Sequence, residues 1–371
     1  MPESPKILCV VGARPNLMKM APILRAFRSA AHPANTPLVH TGQHYDRALN
    51  QRFFEDLNLP WPDVNLEVGS GSHAVQTAQV MLRFEPVLEA EKPAAILVVG
   101  DVNSTLACAL VAVKLGIPII HVEAGLRSFD RSMPEEINRI LTDQISDMLF
   151  ITEEDASVNL KKEGIAESRI HFVGNVMIDS LQCSMARAIP AAQTLRALGM
   201  PEPDAPFALL TLHRPSNVDD PDTLRRLCAT IAEVGEQIPV VFPLHPRTRS
   251  KMQEAGLIGP EINPRLLFAE PLGYLEMLGM MRDARFVMTD SGGVQEETTA
   301  LGVPCLTLRE NTERPITVSE GTNTLVGTAS SAILGAVSEI LSYGGKRGRV
   351  PALWDGHAAE RIAEITLASL A

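Results

Sequence analysis

The stretch Ala95-Ile96-Leu97-Val98-Val99-Gly100-Asp101-Val102-Asn103-Ser104-Thr105 decides the fold class. Five consecutive apolar residues, three of them β-branched, read as a strand buried on both faces, because a half-exposed strand would alternate. A glycine and a short polar turn end it, and a helical pattern over 104–115 follows. The same unit recurs outward in both directions. Apolar runs at 7–11, 117–122 and 148–151 join 95–99 in the first half, and runs at 207–212, 239–244, 285–289 and 304–308 fill the second. Helical patterns such as 19–30 lie between them. Strand alternating with helix predicts an α/β protein built on parallel sheets. A loop-rich, proline-bearing stretch at 188–206 separates the halves. The expected organisation is a first doubly wound domain over 1–185, a second over 186–355, and a last helix within 356–371 that pattern alone assigns to neither.

Length agrees with two domains, at 371 residues. A chain of that size buries enough surface to need no disulfide or metal staple. Net charge is −11, which argues against nucleic acid or an anionic membrane surface as partner, since both require a basic face. It leaves room for a locally basic pocket. The five cysteines, Cys9, Cys108, Cys183, Cys228 and Cys305, form no C-x-x-C pair, and four lie in apolar runs. They read as buried small hydrophobes rather than as disulfides or zinc ligands, so no metal is expected. No signal-peptide pattern and no apolar run of about 18 residues is present, and the expected compartment is the cytoplasm.

In open parallel sheets, ligands bind beyond the carboxyl ends of the strands, so the polar residues after each apolar run come first. The first run is followed by Gly12-Ala13-Arg14-Pro15-Asn16 and a helix carrying Lys19. This is neither G-x-G-x-x-G nor a Walker loop. The Arg14 fork and the helix start suit a phosphate or carboxylate, and Lys19, one turn on, is placed for the same site. Asp101 and Glu123 follow two strongly apolar strands. Asp101 has a plain reading as a helix cap, whereas a carboxylate ending a buried strand, as Glu123 does, needs a partner or a wet cleft. Glu135 opens a further helix, with Arg139 four residues on as a candidate substrate-binding residue whose plain reading is an ion pair with Glu135. In the second half, His213-Arg214 and His245-Pro246-Arg247 end two strands and suggest anion recognition. Thr289-Asp290-Ser291-Gly292-Gly293 turns into a helix whose first N–H groups suit a diphosphate, with Glu297 further along to meet ribose hydroxyls and Arg314 downstream. These residues suit a nucleotide-sugar, with its diphosphate on the glycine turn and its sugar toward the carboxylates.

Taken in order, the motifs G-A-R-P-N with Lys19, T-G-Q-H at 41–44, G-D-V-N-S-T, H-V-E-A-G-L-R, P-E-E-I-N-R, L-H-R-P, D-S-G-G-V-Q-E-E and T-E-R-P resemble the non-hydrolysing UDP-N-acetylglucosamine 2-epimerases. The likeness runs from Ile7 to about Gly327. It implies two Rossmann-like domains of the GT-B type with the active site in the cleft between them, the nucleotide held mainly by the second domain, and a last helix returning to the first. It also implies a homodimer, no cofactor, and interconversion of UDP-N-acetylglucosamine with UDP-N-acetylmannosamine for bacterial surface polysaccharide. By motif match Arg14, Lys19, Asp101, Glu123, Glu135 and His213 are active-site residues. Ser291, Gly292, Gly293, Glu297 and Arg314 are UDP contacts, and Gln43 and His44 belong to a possible site for an activating second nucleotide-sugar.

Carbon 2 of an N-acetylhexosamine is not next to a carbonyl, so its proton is not acidic. Elimination of UDP to a glycal, then re-addition after protonation from the other face, is the route the resemblance implies. Two departures stand out. The common G-T-R-P-E is here Gly12-Ala13-Arg14-Pro15-Asn16, and the common G-H-R-R-E is Leu212-His213-Arg214-Pro215-Ser216. They leave open a related substrate, such as a diacetamido uronic acid on UDP. A GT-B glycosyltransferase using a UDP-sugar donor is the rival from another enzyme class.

Overall fold

A computed structural model describes residues 4–31, 33–42, 54–258 and 266–370. The chain divides into two compact units, one of residues 1–183 with 352–371 and one of residues 184–351.

The first unit is built on β1 (Ile7–Val11), β2 (Leu38–His40), β3 (Val64–Asn65), β4 (Ala95–Val99), β5 (Ile119–Val122), β6 (Met148–Ile151) and β7 (Ile170–Phe172). All pair in parallel, in the order β3-β2-β1-β4-β5-β6-β7. Every residue of β1, β4, β5 and β6 is buried, as continuous apolar runs require when helices cover both faces. One face closes over Leu8, Val10, Ile96 and Val98, with Phe84 and Leu88 from the helix His73–Glu91. That helix is capped by Ser72, which accepts from the Val75 amide.

The second unit uses β8 (Ala208–Thr211), β9 (Val240–Pro243), β10 (Leu266–Ala269), β11 (Phe286–Thr289), β12 (Cys305–Thr307) and β13 (Asn323–Leu325). These are again parallel, in the order β10-β9-β8-β11-β12-β13. In each sheet strand order reverses at the centre, between β1 and β4 and between β8 and β11. Such reversals open a crevice at the strand ends.

Eight apolar runs become strands at or within two residues of their expected limits. The strands that sequence patterning does not single out are β2, β3, β7, β10 and β13, which lie toward the sheet edges and, β10 apart, have only two or three residues. Four of the cysteines are buried, and Cys183 is exposed.

The last helix, Ala358–Leu370, packs on the helix Arg14–Ser29 of the first unit. Asp179 accepts from the amides of Ala358 and Ala359 at its start. Just before it, the fully buried Trp354 donates its indole N–H to the Thr152 carbonyl at 3.0 Å. Trp354→Ala is expected to destabilise the protein by about 3–5 kcal/mol, the range for emptying an aromatic site in a core. The check is the urea midpoint followed by circular dichroism, and an unchanged midpoint would show that the returning segment contributes nothing to stability.

Candidate active site

At the β1–β4 reversal, Asn16 joins the two strand ends. Its carboxamide oxygen accepts from the Gly12 and Ala13 amides at 3.1 and 2.9 Å, and its nitrogen donates to the Val99 carbonyl at 3.0 Å. Asn16 is one of the departures from the common family form, and its place here is structural. The side chain of Arg14 lies outside the described residues, as do Gln43 and His44.

Lys19 and Glu123 meet directly. The ammonium lies 2.7 Å from Oε1 and 2.6 Å from Oε2 of the carboxylate, and both side chains are buried. A buried strand-end carboxylate thus has the partner its burial demands. Glu123 holds a left-handed backbone at φ +72°, uncommon for a residue with a side chain. It is secured by Glu123 and Ala124 amides that both donate to the Phe150 carbonyl. Gly100 faces the pair at φ +67°, and a Cβ there would stand 3.2 Å from the Lys19 nitrogen. Glycine meets both demands without strain.

Asp101 is not a helix cap. The cap position belongs to Val102, and the Asp101 carboxylate pairs with Arg139, whose other nitrogen binds Glu136 at 2.8 Å. The i,i+4 pairing of Arg139 with Glu135 gives way to an i,i+3 pairing with Glu136. Glu136 also accepts from the amides of Ser128 and Phe129, which makes it the anchor of that loop. Glu135 is half-buried in the first turn and pairs with none of the described residues. Asn138, on the same helix, donates to the Asp101 carbonyl. Beneath Glu123, His121 is wholly buried. Its ring nitrogens lie 2.7 Å from Asp143 and 2.8 Å from the Gly100 carbonyl, so one imidazole ties the Asp101 loop to the Glu123 loop.

At the β8–β11 reversal the organising residue is Asp290. It accepts from the amides of His213 and Arg214, from the Asn217 carboxamide, and from His213 Nδ1 at 3.0 Å. Burial alone would raise its carboxyl, but the His213 contact and these N–H groups outweigh that and hold it below its ordinary value. With Nδ1 committed to Asp290, His213 keeps Nε2 for a ligand. Its ring centroid is 5.8 Å from that of His245, which caps the helix Pro246–Glu254.

Ser291 is the N-cap of the helix Gly292–Leu301 but makes no side-chain cap bond, leaving the hydroxyl and the first N–H groups to an anion. Arg314 pairs with Glu296 at 2.7 Å. Burial pushes the Glu297 carboxyl up to about 8, the Tyr274 hydroxyl at 3.2 Å draws it back in part, and the Glu296 charge adds to the rise. Asp101, Lys19, Glu123 and Arg139 therefore gather in the first unit, and His213, His245, Ser291, Gly292, Gly293, Glu297 and Arg314 in the second. Sequence reading missed Asn16, His121, Glu136 and Asp290. Asp290 and Glu136 each sit beside a residue that was chosen, so their motifs were the available signal.

A family profile described as UDP-N-acetylglucosamine 2-epimerase matches residues 28–367. The chain belongs to the UDP-N-acetylglucosamine 2-epimerase family. It is 44% identical to the UDP-N-acetylglucosamine 2-epimerase of Methanococcus maripaludis, over 91% of this chain and 92% of that protein. It is 41% identical to the UDP-2,3-diacetamido-2,3-dideoxy-D-glucuronate 2-epimerase of Pseudomonas aeruginosa, over 97% and 98%. The crystal structure of the Methanocaldococcus jannaschii UDP-N-acetylglucosamine 2-epimerase, solved with UDP-N-acetylglucosamine and UDP, matches with a TM-score of 0.86 at 42% identity, over 97% of this chain and 99% of that one. Family membership makes the chain an epimerase, an isomerase, with the two-sheet α/β architecture of the GT-B type. It sets the glycosyltransferase reading aside. No helix among the described residues is long and apolar enough to cross a membrane.

The high Glu297 value has a consequence for stability. The unfolded carboxyl titrates near 4.5 and the folded one near 8, so between those limits the folded state holds the extra proton. Stability is full below the lower value and is lost as pH rises through the upper one. Urea midpoints at pH 5, 6.5 and 8 are expected to fall, and Glu297→Gln is expected to flatten that decline. An equally steep decline in the variant would show that another group carries it.

Proposed function

We propose that the protein interconverts UDP-N-acetylglucosamine and UDP-N-acetylmannosamine without releasing free sugar. UDP leaves carbon 1 as the carbon-2 proton is removed, and it re-adds to the glycal after protonation from the opposite face. The observation that carries this reading is the pairing of two strand-end carboxylates with cations in the first unit, Glu123 with Lys19 and Asp101 with Arg139. A neighbouring cation favours the ionised, basic form. Each proton transfer by a placed carboxylate is worth roughly 10²–10⁴-fold. Glu135, unpaired among the described residues, is the third carboxylate of the set. Arg14, His213 and the Ser291–Gly293 helix start stabilise the departing diphosphate. Glu297, protonated at neutral pH, can both donate to and accept from ribose hydroxyls. The working form is a cytoplasmic homodimer, and its product serves the synthesis of surface polysaccharide. Gln43 and His44 are the residues for an activating second nucleotide-sugar.

The Pseudomonas aeruginosa relative supports a second reading, in which the substrate is UDP-2,3-diacetamido-2,3-dideoxy-D-glucuronate. The chemistry at carbons 1 and 2 is unchanged, and the sugar ring carries one more carboxylate. Incubation with each UDP-sugar alone, followed through the anomeric protons by NMR in deuterium oxide, separates the two. Epimerised product with deuterium at carbon 2 from one substrate assigns it, and conversion of neither would overturn both readings.

Glu123→Gln keeps the shape of the side chain but not its basicity. Its kcat is expected to fall by about 10²-fold or more, roughly 2.7 kcal/mol of barrier, with UDP affinity little changed. Turnover at the original rate would remove Glu123 from the mechanism. An oxygen-18 label bridging carbon 1 and the diphosphate is expected to scramble into non-bridging positions, and a label that stays fixed in epimerised product would exclude elimination.

A further inference from the structure

Glu313 sits where an anion is least expected from within the chain. The residue is 4% exposed, and its carboxylate lies against the start of the helix Gly292–Leu301. A Cβ on Gly292 would stand 2.7 Å from Glu313 Oε1, so the glycine leaves the room this carboxylate occupies. Arg309 binds its other oxygen at 2.8 Å, and Arg214 approaches Oε1 at 3.2 Å. Burial works to raise the carboxyl, but Arg309, Arg314 and Arg214 outweigh it and hold Glu313 far below the usual carboxylate range. It is therefore ionised at any working pH. The cluster still has donors to spare: Nη1 of the buried Arg309 and Nε of Arg214 have no hydrogen-bond partner among the described residues.

We infer that Glu313 is a resident counter-charge for the diphosphate site, limiting how tightly the second unit holds UDP. This rests on the reading that the Ser291–Gly293 helix start receives the diphosphate. Three guanidinium groups at one helix N-terminus would bind a diphosphate strongly, since donor geometry, charge and dipole all act together. Glu313, with Glu296 on Arg314, brings the cluster close to a single net positive charge. A reaction that parts UDP from carbon 1 and then returns it gains from that restraint, because UDP bound more tightly than the transition state slows turnover.

The test is calorimetric titration of the whole protein with UDP and with uridine, which shares the base and ribose but carries no phosphate. Glu313→Gln is expected to tighten UDP about tenfold, about 1.4 kcal/mol, to leave uridine unchanged, and to steepen the salt dependence of UDP binding. UDP affinity equal to or below that of the unaltered protein, in a variant that melts normally, would overturn the inference. Arg309→Gln and the double variant Arg309→Gln/Glu313→Gln keep the question answerable if the single Glu313 variant does not fold, since removing a buried pair together is less disruptive than removing one partner. The double variant is expected to bind UDP more tightly than Arg309→Gln alone, and equal or weaker binding would overturn the inference. Failure of the unaltered, folded protein to bind UDP would instead overturn the nucleotide reading.

Discussion

A charge at the end of a strand buried on both faces cannot be left to solvent. Taking an isolated carboxylate out of water costs more than a fold of this size can spare, so each one here is matched by a cation or by several N–H groups. Glu123 has Lys19, Asp101 and Glu136 share Arg139, and Asp290 collects His213 and three further N–H donors. Apart from Glu136, whose partner lies on its own helix, the partner comes from a neighbouring loop or helix. The need to compensate buried charge is thus what ties the loops at each sheet's carboxyl edge into fixed positions.

Those ties have consequences for reactivity. Glu123 adopts a left-handed backbone because hydrogen bonds from its own and the Ala124 amide to the Phe150 carbonyl, and the contact with Lys19, hold it there. Strain of this kind persists only where the surroundings over-determine it. His121 adds a link below, from Asp143 to the Gly100 carbonyl, between the two loops that present Asp101 and Glu123. Under the proposed reaction, carboxylates held this firmly suit proton transfer on the two faces of a sugar.

The second unit answers a different demand. Its strand ends carry N–H groups and guanidinium groups, with Asp290 setting the His213 loop and Glu313 paired with Arg309. One unit therefore concentrates compensated carboxylates, and the other concentrates compensated cations.

The central strands, the parallel architecture and most of the candidate residues were legible in the sequence. Buried parallel strands need unbroken apolar runs, and reactive groups gather just after them, so Asp101, Glu123, His213 and Ser291 announce themselves by position. The outer strands β3 and β7 were not legible, since two or three residues at a sheet edge need little apolar character. Nor were the partners. Nothing within Pro134–Ile145 says that Arg139 will choose Glu136 and Asp101 over Glu135, and nothing near Gly292 says that Glu313 will lie against it. Sequence patterning determined which chemical groups reach the strand ends, because hydrophobic periodicity is local. Tertiary structure alone decided which of them meet, because ion pairs such as Lys19 with Glu123 join residues that only the order of strands in the sheet brings together.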